Sequence, residues 1–497
     1  MKRNVYDLAA VRVEAVRVNV TLLILDIALD TSLGRKHDAI NSGVTMQYLI
    51  QNARAIFSAT HPAASDIRIS AGFITELGNQ LIPQPDEILI DARDCTIYPG
   101  LVNTHHHLAQ SVLKGIPAGL NQGLGDWLAS VPYKFWPKIT PELMYQAARL
   151  GIYELLRSGA TSCADHHYLY HAHSSPEVEA ALWQAADELG IRLSLCRGSA
   201  TLRGSHRGML ESGIEPETIA QVLQRLEQSR CNYHQASTAP MRQLVVAPTS
   251  LIHSASRDDL KTLAEYARNH QLKLHSHLLE VEFDEIQAQQ QHGMSAIDYA
   301  ASCDWLGNDV WFAHLVKADT HAIDLLAQSK TGIAHCPTSN CRLGSGIAPL
   351  IAMHKAGVPI SIGVDGSASA ESGSMLQELN LAWLIHRSQH GPAATTVETL
   401  IEWGSYGGAQ LLGMEKVGKL EPGFAADLVV YDLQQPRFAG VHDALAAPLI
   451  CGEPVTIKHS FINGQEVVNH SQIRNLDPAE LVANVRQGVG ELLRRVN

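Results

Sequence analysis

No stretch of this 497-residue chain approaches the roughly 18 to 20 uninterrupted apolar residues needed to cross a bilayer. Near the N-terminus the run from Val18 to Leu29 is broken by Asp26, with Glu14 and Arg17 just ahead of it. No small-residue cleavage site follows, which argues against a secretory leader. The eight cysteines include no CxxC pair, so neither a disulfide framework nor a zinc ribbon is indicated. Reduced thiols and a cytoplasmic location are expected. Basic charge is also scarce: 38 Lys and Arg against 50 Asp and Glu leave a net charge of −12. A nucleic-acid surface wants the opposite balance, so neither a nucleic-acid nor a membrane partner is expected. What the chain has in quantity is histidine, 25 residues of it, the side chain of metal and proton chemistry near neutral pH.

At 45% hydrophobic and 18% charged residues, the composition is that of a folded globular protein. Residues 1–45 are weakly patterned and predicted to be a dispensable extension, with Met46 the effective start of the fold. From there MQYLIQNARAIF, DIRISAGFITELG and EILIDARDCTIYPG alternate as short strands between Gly, Pro and Asp turns. The same texture returns in ADLVVYDL and VTIKHSFINGQEVV, where Asn463-Gly464 signals a type I′ hairpin. Residues 46–99 and 418–470 are therefore predicted to form one small β-sandwich domain from both chain ends. Between them, IYPGLVNTH, GATSCAD, IRLSLCRG, QLVVAPTS, LKLHSHL, VWFAHL, TGIAHCP and PISIGVDG read as eight buried strands alternating with helices. This α/β pattern over residues 100–417 predicts a (β/α)8 TIM-type barrel. Thr140-Pro141-Glu142 marks one helix start, and Leu260, Leu263, Ala264 and Ala267 share one helical face. Residues 471–497 close the chain with an amphipathic helix over Pro478 to Val496.

In such a barrel reactive groups sit at the C-terminal ends of the strands. The first predicted strand runs into His105-His106-His107, and the fifth into His275-Ser276-His277 with Glu280 just beyond. The sixth ends at His314, the seventh at His335 and the eighth at Asp365. Alternation along the first strand points His105 and His107 to one side and His106 to the other. Two imidazoles on one strand can share an ion, and a third imidazole with a carboxylate would complete a site suited to zinc. One histidine alone is ordinarily structural, which is the reading for His106, His166, His167, His171 and His173. Five strand ends converging on His or Asp require a common purpose.

The segments PGLVNTHHHL, HSHLLE, WFAHLV, HCPTSNCRLGSGIAP and IGVDGSAS resemble the cytosine-deaminase-like branch of the amidohydrolase superfamily, over about residues 46–470. The resemblance implies that His105, His107, His277 and Asp365 ligate one divalent ion, expected to be zinc. It also implies that Glu280 shuttles a proton, that His314 orients the attacking water and that Asp365 takes up its proton. The fourth strand ends Ala247-Pro248-Thr249-Ser250, without the lysine that bridges two metals in the dinuclear branch. NTHHHLAQSVLKG, the DWL at 126–128, PYKF, DWLGNDVWFAHLVKAD and APTS are most similar to isoxanthopterin deaminases, then to 8-oxoguanine deaminases. The substrate so implied is a small, flat, fused amino-lactam ring. Gln110 offers it a donor and an acceptor, Arg197 at the end of the third strand a partner for a lactam oxygen, and Trp127 in the loop after the first strand a cover. A triazine, chlorinated-ring or cyclic-amide hydrolase on the same scaffold is the alternative, and a non-catalytic metal-binding protein the second. A homo-oligomer is left open.

Overall fold

Burial on both faces is what makes a parallel strand read as a short, nearly continuous apolar run, and eight such runs pair in chain order here. A computed structural model describes residues 46–204 and 207–496; the extension expected over residues 1–45 lies outside the described residues. The central strands are β1 (Leu101–His106), β2 (Ala160–His167), β3 (Arg192–Ser199), β4 (Arg242–Pro248), β5 (Lys273–Leu278), β6 (Val310–His314), β7 (Gly332–His335) and β8 (Ile360–Ile362). Each is hydrogen-bonded to the next, and all pairings are parallel. The ring is closed beyond β8, where the Asp365 N–H donates to the His105 carbonyl at 2.9 Å. The molecule is thus the expected TIM-type barrel.

Inward side chains, among them Val102, Ala164, Cys196, Val245, Trp311 and Ala334, fill the barrel interior. Outward ones such as Leu101, Leu193, Leu244, Phe312 and Ile333 meet the surrounding helices. The helix Pro141–Arg157 starts as its sequence requires, with the Thr140 hydroxyl accepting the Leu143 N–H and proline in the first turn. The helix Arg257–Asn269 buries Leu260, Leu263, Ala264 and Ala267, the face its spacing predicted.

Boundaries differ where the chain changes sheets: MQYLIQNARAIF divides into Gln47–Gln51 and Ala55–Ile56, and EILIDARDCTIYPG into Glu87–Asp91 and Cys95–Pro99, each pair in two different sheets. IYPGLVNTH is two strands, because Cys95–Pro99 belongs to a different sheet from Leu101–His106. Gly100 is the joint: a Cβ there would collide with the Thr161 side chain. Cys95–Pro99 pairs with Leu428–Asp432 and Ala55–Ile56 in a six-stranded sheet built from both ends of the described chain. A four-stranded sheet, Gln47–Gln51, Asp66–Ser70, Phe73–Gly78 and Glu87–Asp91, shares a core with it. Tyr48, Ile50, Ile67 and Ile69 there meet Ile97, Leu428, Val430 and Phe461. The Ile457–Ile462 and Gln465–Asn469 hairpin turns on Asn463 and Gly464, both at positive φ (51° and 71°), as a type I′ turn demands. Helix Pro478–Val496 packs on Pro141–Arg157, with Gly488 close against Leu143. Among the described residues no helix is long and apolar enough to cross a membrane.

Candidate active site

The barrel mouth gathers imidazoles whose tautomers are set by what lies behind them. His107 Nδ1–H donates to the His166 carbonyl at 2.7 Å, and His277 Nδ1–H to the Thr249 carbonyl at 2.7 Å. Both Nε2 atoms are left as lone-pair acceptors, and they face each other at 3.3 Å. His105 is fixed one step further back. His275 donates Nδ1–H to the Trp311 carbonyl at 2.9 Å, so its Nε2 accepts His105 Nδ1–H at 2.8 Å. That leaves His105 Nε2 buried and without a partner. Backbone carbonyls or a second imidazole thus aim three ligand atoms at one point. Asp365 Oδ1 joins them, 3.4 Å from His105 Nε2 and 3.2 Å from His107 Nε2. Lone pairs this close repel unless a cation lies between them, and the ligand atoms form two overlapping triads, His105 with His107 and His277, and His105 with His314 and Asp365, a donor set that could hold a divalent ion.

The charges agree. Burial holds the His105 and His277 pKa values well below the ordinary imidazole range, which keeps them neutral as ligands must be. At His107 burial also disfavours charge, but the Asp365 carboxylate outweighs it and raises the pKa, marking where a positive charge is welcome. Burial acts upward on Asp365, and the His105 and His107 contacts overcome it, leaving the carboxyl well below its usual range. Its Oδ2 further accepts the Ser339 hydroxyl at 2.5 Å, and Oδ1 the Gly366 N–H at 2.7 Å. Glu280 stands in contrast. Burial pushes its pKa up to about 7, against a smaller opposing pull from His314. Its Oε2 lies 3.5 Å from His314 Nε2, and the His314 ring is held by Nδ1–H to the Asn340 side-chain oxygen at 2.9 Å. His314 and Asp365 both adopt positive φ (76° and 59°), local strain that concentrates at functional positions.

Above these groups opens a cavity of about 940 Å3, open solvent at its mouth included. Its walls contain His107, Gln110, His277, Glu280, His314 and Asp365, with Trp127, Tyr133, Trp136 and Tyr168 as the aromatic side. Gln110 is buried; its Nε2–H donates to the Tyr168 hydroxyl at 3.1 Å and its Oε1 has no partner. Trp127 lines the cavity from a short helix, Leu124–Ser130, rather than from an open loop.

Two expectations are corrected. Arg197 is not in the cavity wall: its guanidinium is buried in a paired contact with Glu217 at 2.8 and 2.6 Å and lies over the Tyr170 ring. A cation at the end of a strand is as easily spent on a buried carboxylate as on a ligand. His335 ends β7, yet it faces out toward the helix Met375–His390, where its Nε2 meets His386 Nε2 at 3.1 Å. His106 does turn outward, against the helix bearing Gly151. His275 supports a ligand, and the His166 carbonyl orients another; their sequence neighbours hinted at both without distinguishing support from ligation. Ser339 and Asn340, inside the HCPTSNCRLGSGIAP segment, carry roles that only their contacts reveal.

The profile of the amidohydrolase family matches residues 96–467. The chain belongs to the amidohydrolase family. This amidohydrolase is 41% identical over 471 residues to an isoxanthopterin deaminase from an unknown prokaryotic organism, covering 90% of this chain and 98% of that protein. It is 36% identical over 453 residues to the 8-oxoguanine deaminase of Pseudomonas aeruginosa, covering 89% and 98%. Among solved structures it is similar to an amidohydrolase from an environmental sample of the Sargasso Sea (TM-score 0.78, 39% identity, 90% of this chain and 99% of that one). It is also similar to the zinc-complexed atrazine chlorohydrolase of Arthrobacter aurescens (TM-score 0.82, 26% identity, 89% and 100%). The enzyme is a hydrolase acting on C–N bonds.

Proposed function

We propose that this amidohydrolase is a hydrolytic deaminase of a fused amino-lactam heterocycle, isoxanthopterin, a related pterin or 8-oxoguanine, with one zinc ion per chain. The observation that carries the reading is the convergence of three imidazole lone pairs and Asp365 beside Glu280, at the foot of an aromatic-walled cavity. Similarity to deaminases of a pterin and of an oxopurine supports the substrate class. His105, His107, His277 and Asp365 would hold the ion; when bound, it lowers the pKa of a water ligand towards about 7 and supplies hydroxide at neutral pH.

The chain's own residues do the rest. Trp127, Tyr133, Trp136 and Tyr168 receive the flat ring, and the Gln110 amide meets its polar edge. His314 holds the attacking oxygen by hydrogen bond, and Asp365 takes its proton. Glu280 protonates the ring nitrogen beside the attacked carbon, which makes an amidine-like carbon electrophilic. The proton on Asp365 passes to the departing amine, which leaves as ammonia. Glu280 then recovers its proton from the new hydroxyl as the lactam carbonyl forms, so the balance is one water in and one ammonia out.

The test is ammonia release across a panel of pterins, oxopurines, cytosine and triazines, with metal analysis of the same preparation. The expected result is the highest kcat/KM on isoxanthopterin or 8-oxoguanine, about one ion per chain by the four-ligand argument, and loss of both ion and activity in His277→Ala. The similarity to a chlorohydrolase favours a second reading, hydrolysis of a substituted triazine. Chloride release without ammonia from any pterin or purine would establish that one instead. Two ions per active chain would overturn the single-metal assignment.

A further inference from the structure

Glu280 is poorly held by its own carboxyl. Among the described residues, Oε1 receives a hydrogen bond only from the Ser345 hydroxyl, at 3.3 Å, and Oε2 faces His314 at 3.5 Å. With so little to hold the carboxyl itself, its position has to come from its backbone. That backbone leaves β5 through Leu279 at φ 55° and is caught at once by Asp284, in the helix Glu282–His292. Asp284 is buried and both its oxygens are engaged. Oδ2 accepts the Glu280 N–H at 3.0 Å, and Oδ1 accepts His253 Nε2–H at 2.9 Å.

His253 lies in the loop after β4, with its ring stacked on Phe283 at 5.3 Å between centroids and 12° between planes. It is tied in turn to the loop after β3. The Ser254 carbonyl accepts the N–H groups of Thr201 and Leu202 at 2.8 and 3.1 Å. Gly204, at φ 69°, lies so close to the His253 carbonyl that any Cβ would collide with it. Three successive loops of the cavity rim are therefore clasped together, and the carboxylate at the end of the clasp holds the amide of Glu280.

We propose that Asp284 is the positioning residue for Glu280, fixing its carboxyl against the ring nitrogen through the backbone. The proposal rests on the reading of Glu280 as the proton carrier. A displacement of about 1 Å of a reacting group costs on the order of 10²-fold in rate. Asp284→Ala should therefore lower kcat by about 10- to 100-fold on the best substrate of the panel, with KM changed less than about threefold. Metal content should stay at the parental level. Asp284→Asn keeps an oxygen for the Glu280 amide and offers N–H to the other His253 tautomer, so it should recover to within about fivefold of the parent. In the Glu280→Gln background, Asp284→Ala should change kcat less than about twofold, because a residue acting through Glu280 has nothing left to position.

An equal fold-loss in both backgrounds, a loss confined to KM, or no rescue by asparagine would overturn the proposal. Parental turnover in Glu280→Gln alone would instead overturn the assignment of Glu280, so the two failures are distinguishable. If the alanine variant does not fold, Asp284→Ser, too short to reach the amide, gives the same comparison.

Discussion

Glu280 and Asp365 are both buried carboxylates in one site, and their surroundings drive them apart. Asp365 accepts a backbone N–H and a serine hydroxyl beside two imidazoles, and stays ionised. Glu280 has one long hydrogen bond and a pKa pushed up to about 7 by burial. One is made to ligate and accept, the other to carry a proton, a division enzymes obtain by environment rather than by residue type. Glu280→Gln keeps the side chain's size and leaves all four proposed ligands in place. Turnover is expected to fall by about 10²- to 10⁴-fold, the usual contribution of general acid–base catalysis, with the ion count unchanged. Steady-state kinetics and metal analysis on one preparation check both halves; activity within threefold of the parent would remove Glu280 from its role.

At the scale of elements, the site depends on how closely adjacent strand ends approach. β2 delivers the carbonyl that orients His107 and then Tyr168, which forms part of the cavity wall. β3 passes beside it at Gly198, where a Cβ would lie 2.5 Å from the His167 carbonyl and 2.8 Å from Tyr168 Cα. Both obstacles are backbone, so neither can swing aside. Gly198→Ala should cost about 1 to 3 kcal/mol, the range for forced overpacking. It should also weaken ion retention, because the end of β2 must move. Thermal melts with and without added zinc read both effects, and an unchanged melting temperature would show that the strands have slack. The same closeness explains a misplaced strand boundary: Gly100 continues an apolar alternation in the sequence while the chain changes sheets across it.

For the molecule as a whole, a buried ion pair is among the contacts that join the barrel to the terminal sheets. Arg192 of β3 meets Asp427 through two bonds of 2.6 and 2.9 Å, both side chains fully buried, and Asp427 also accepts the Asn463 N–H at 2.8 Å. Breaking such a pair leaves an unpaired charge in the interior, so Asp427→Ala should destabilise by about 3 to 5 kcal/mol, seen as a lower unfolding midpoint. A second global effect is pH. Burial pushes Glu378 from an ordinary 4.5 up to about 8, with the Thr338 N–H at 3.0 Å opposing only in part. Between those values the folded chain keeps a proton that the unfolded chain releases, so stability falls as pH rises, by at most about 1.4 kcal/mol per pH unit. Glu378→Gln should flatten the melting temperature across that window; a parental slope would assign the dependence to other groups.

Read alone, the sequence determined the barrel, the hairpin at Asn463-Gly464, the terminal helix and one pair of candidate ligands, His105 and His107, the rest of the ligand set being implied by resemblance. Each is encoded by local spacing: apolar runs of strand length, a turn that needs two positive φ values, a helical face, histidines two apart on one strand. What tertiary structure alone decided is which polar side chain meets which. Arg197 and Gln110 are equally plausible partners for a heterocycle from their positions in the chain. Glu217, nineteen positions beyond Gly198, neutralises the first, while the second is left with an unpartnered oxygen in a cavity wall. His335 and His314 both end strands, yet pleat direction sends one toward His386 and a left-handed backbone turn sets the other against Glu280. Periodicity specifies a face. Partners come from strands and loops far away in sequence, and buried charge settles on whichever of them the closed barrel brings within bonding distance.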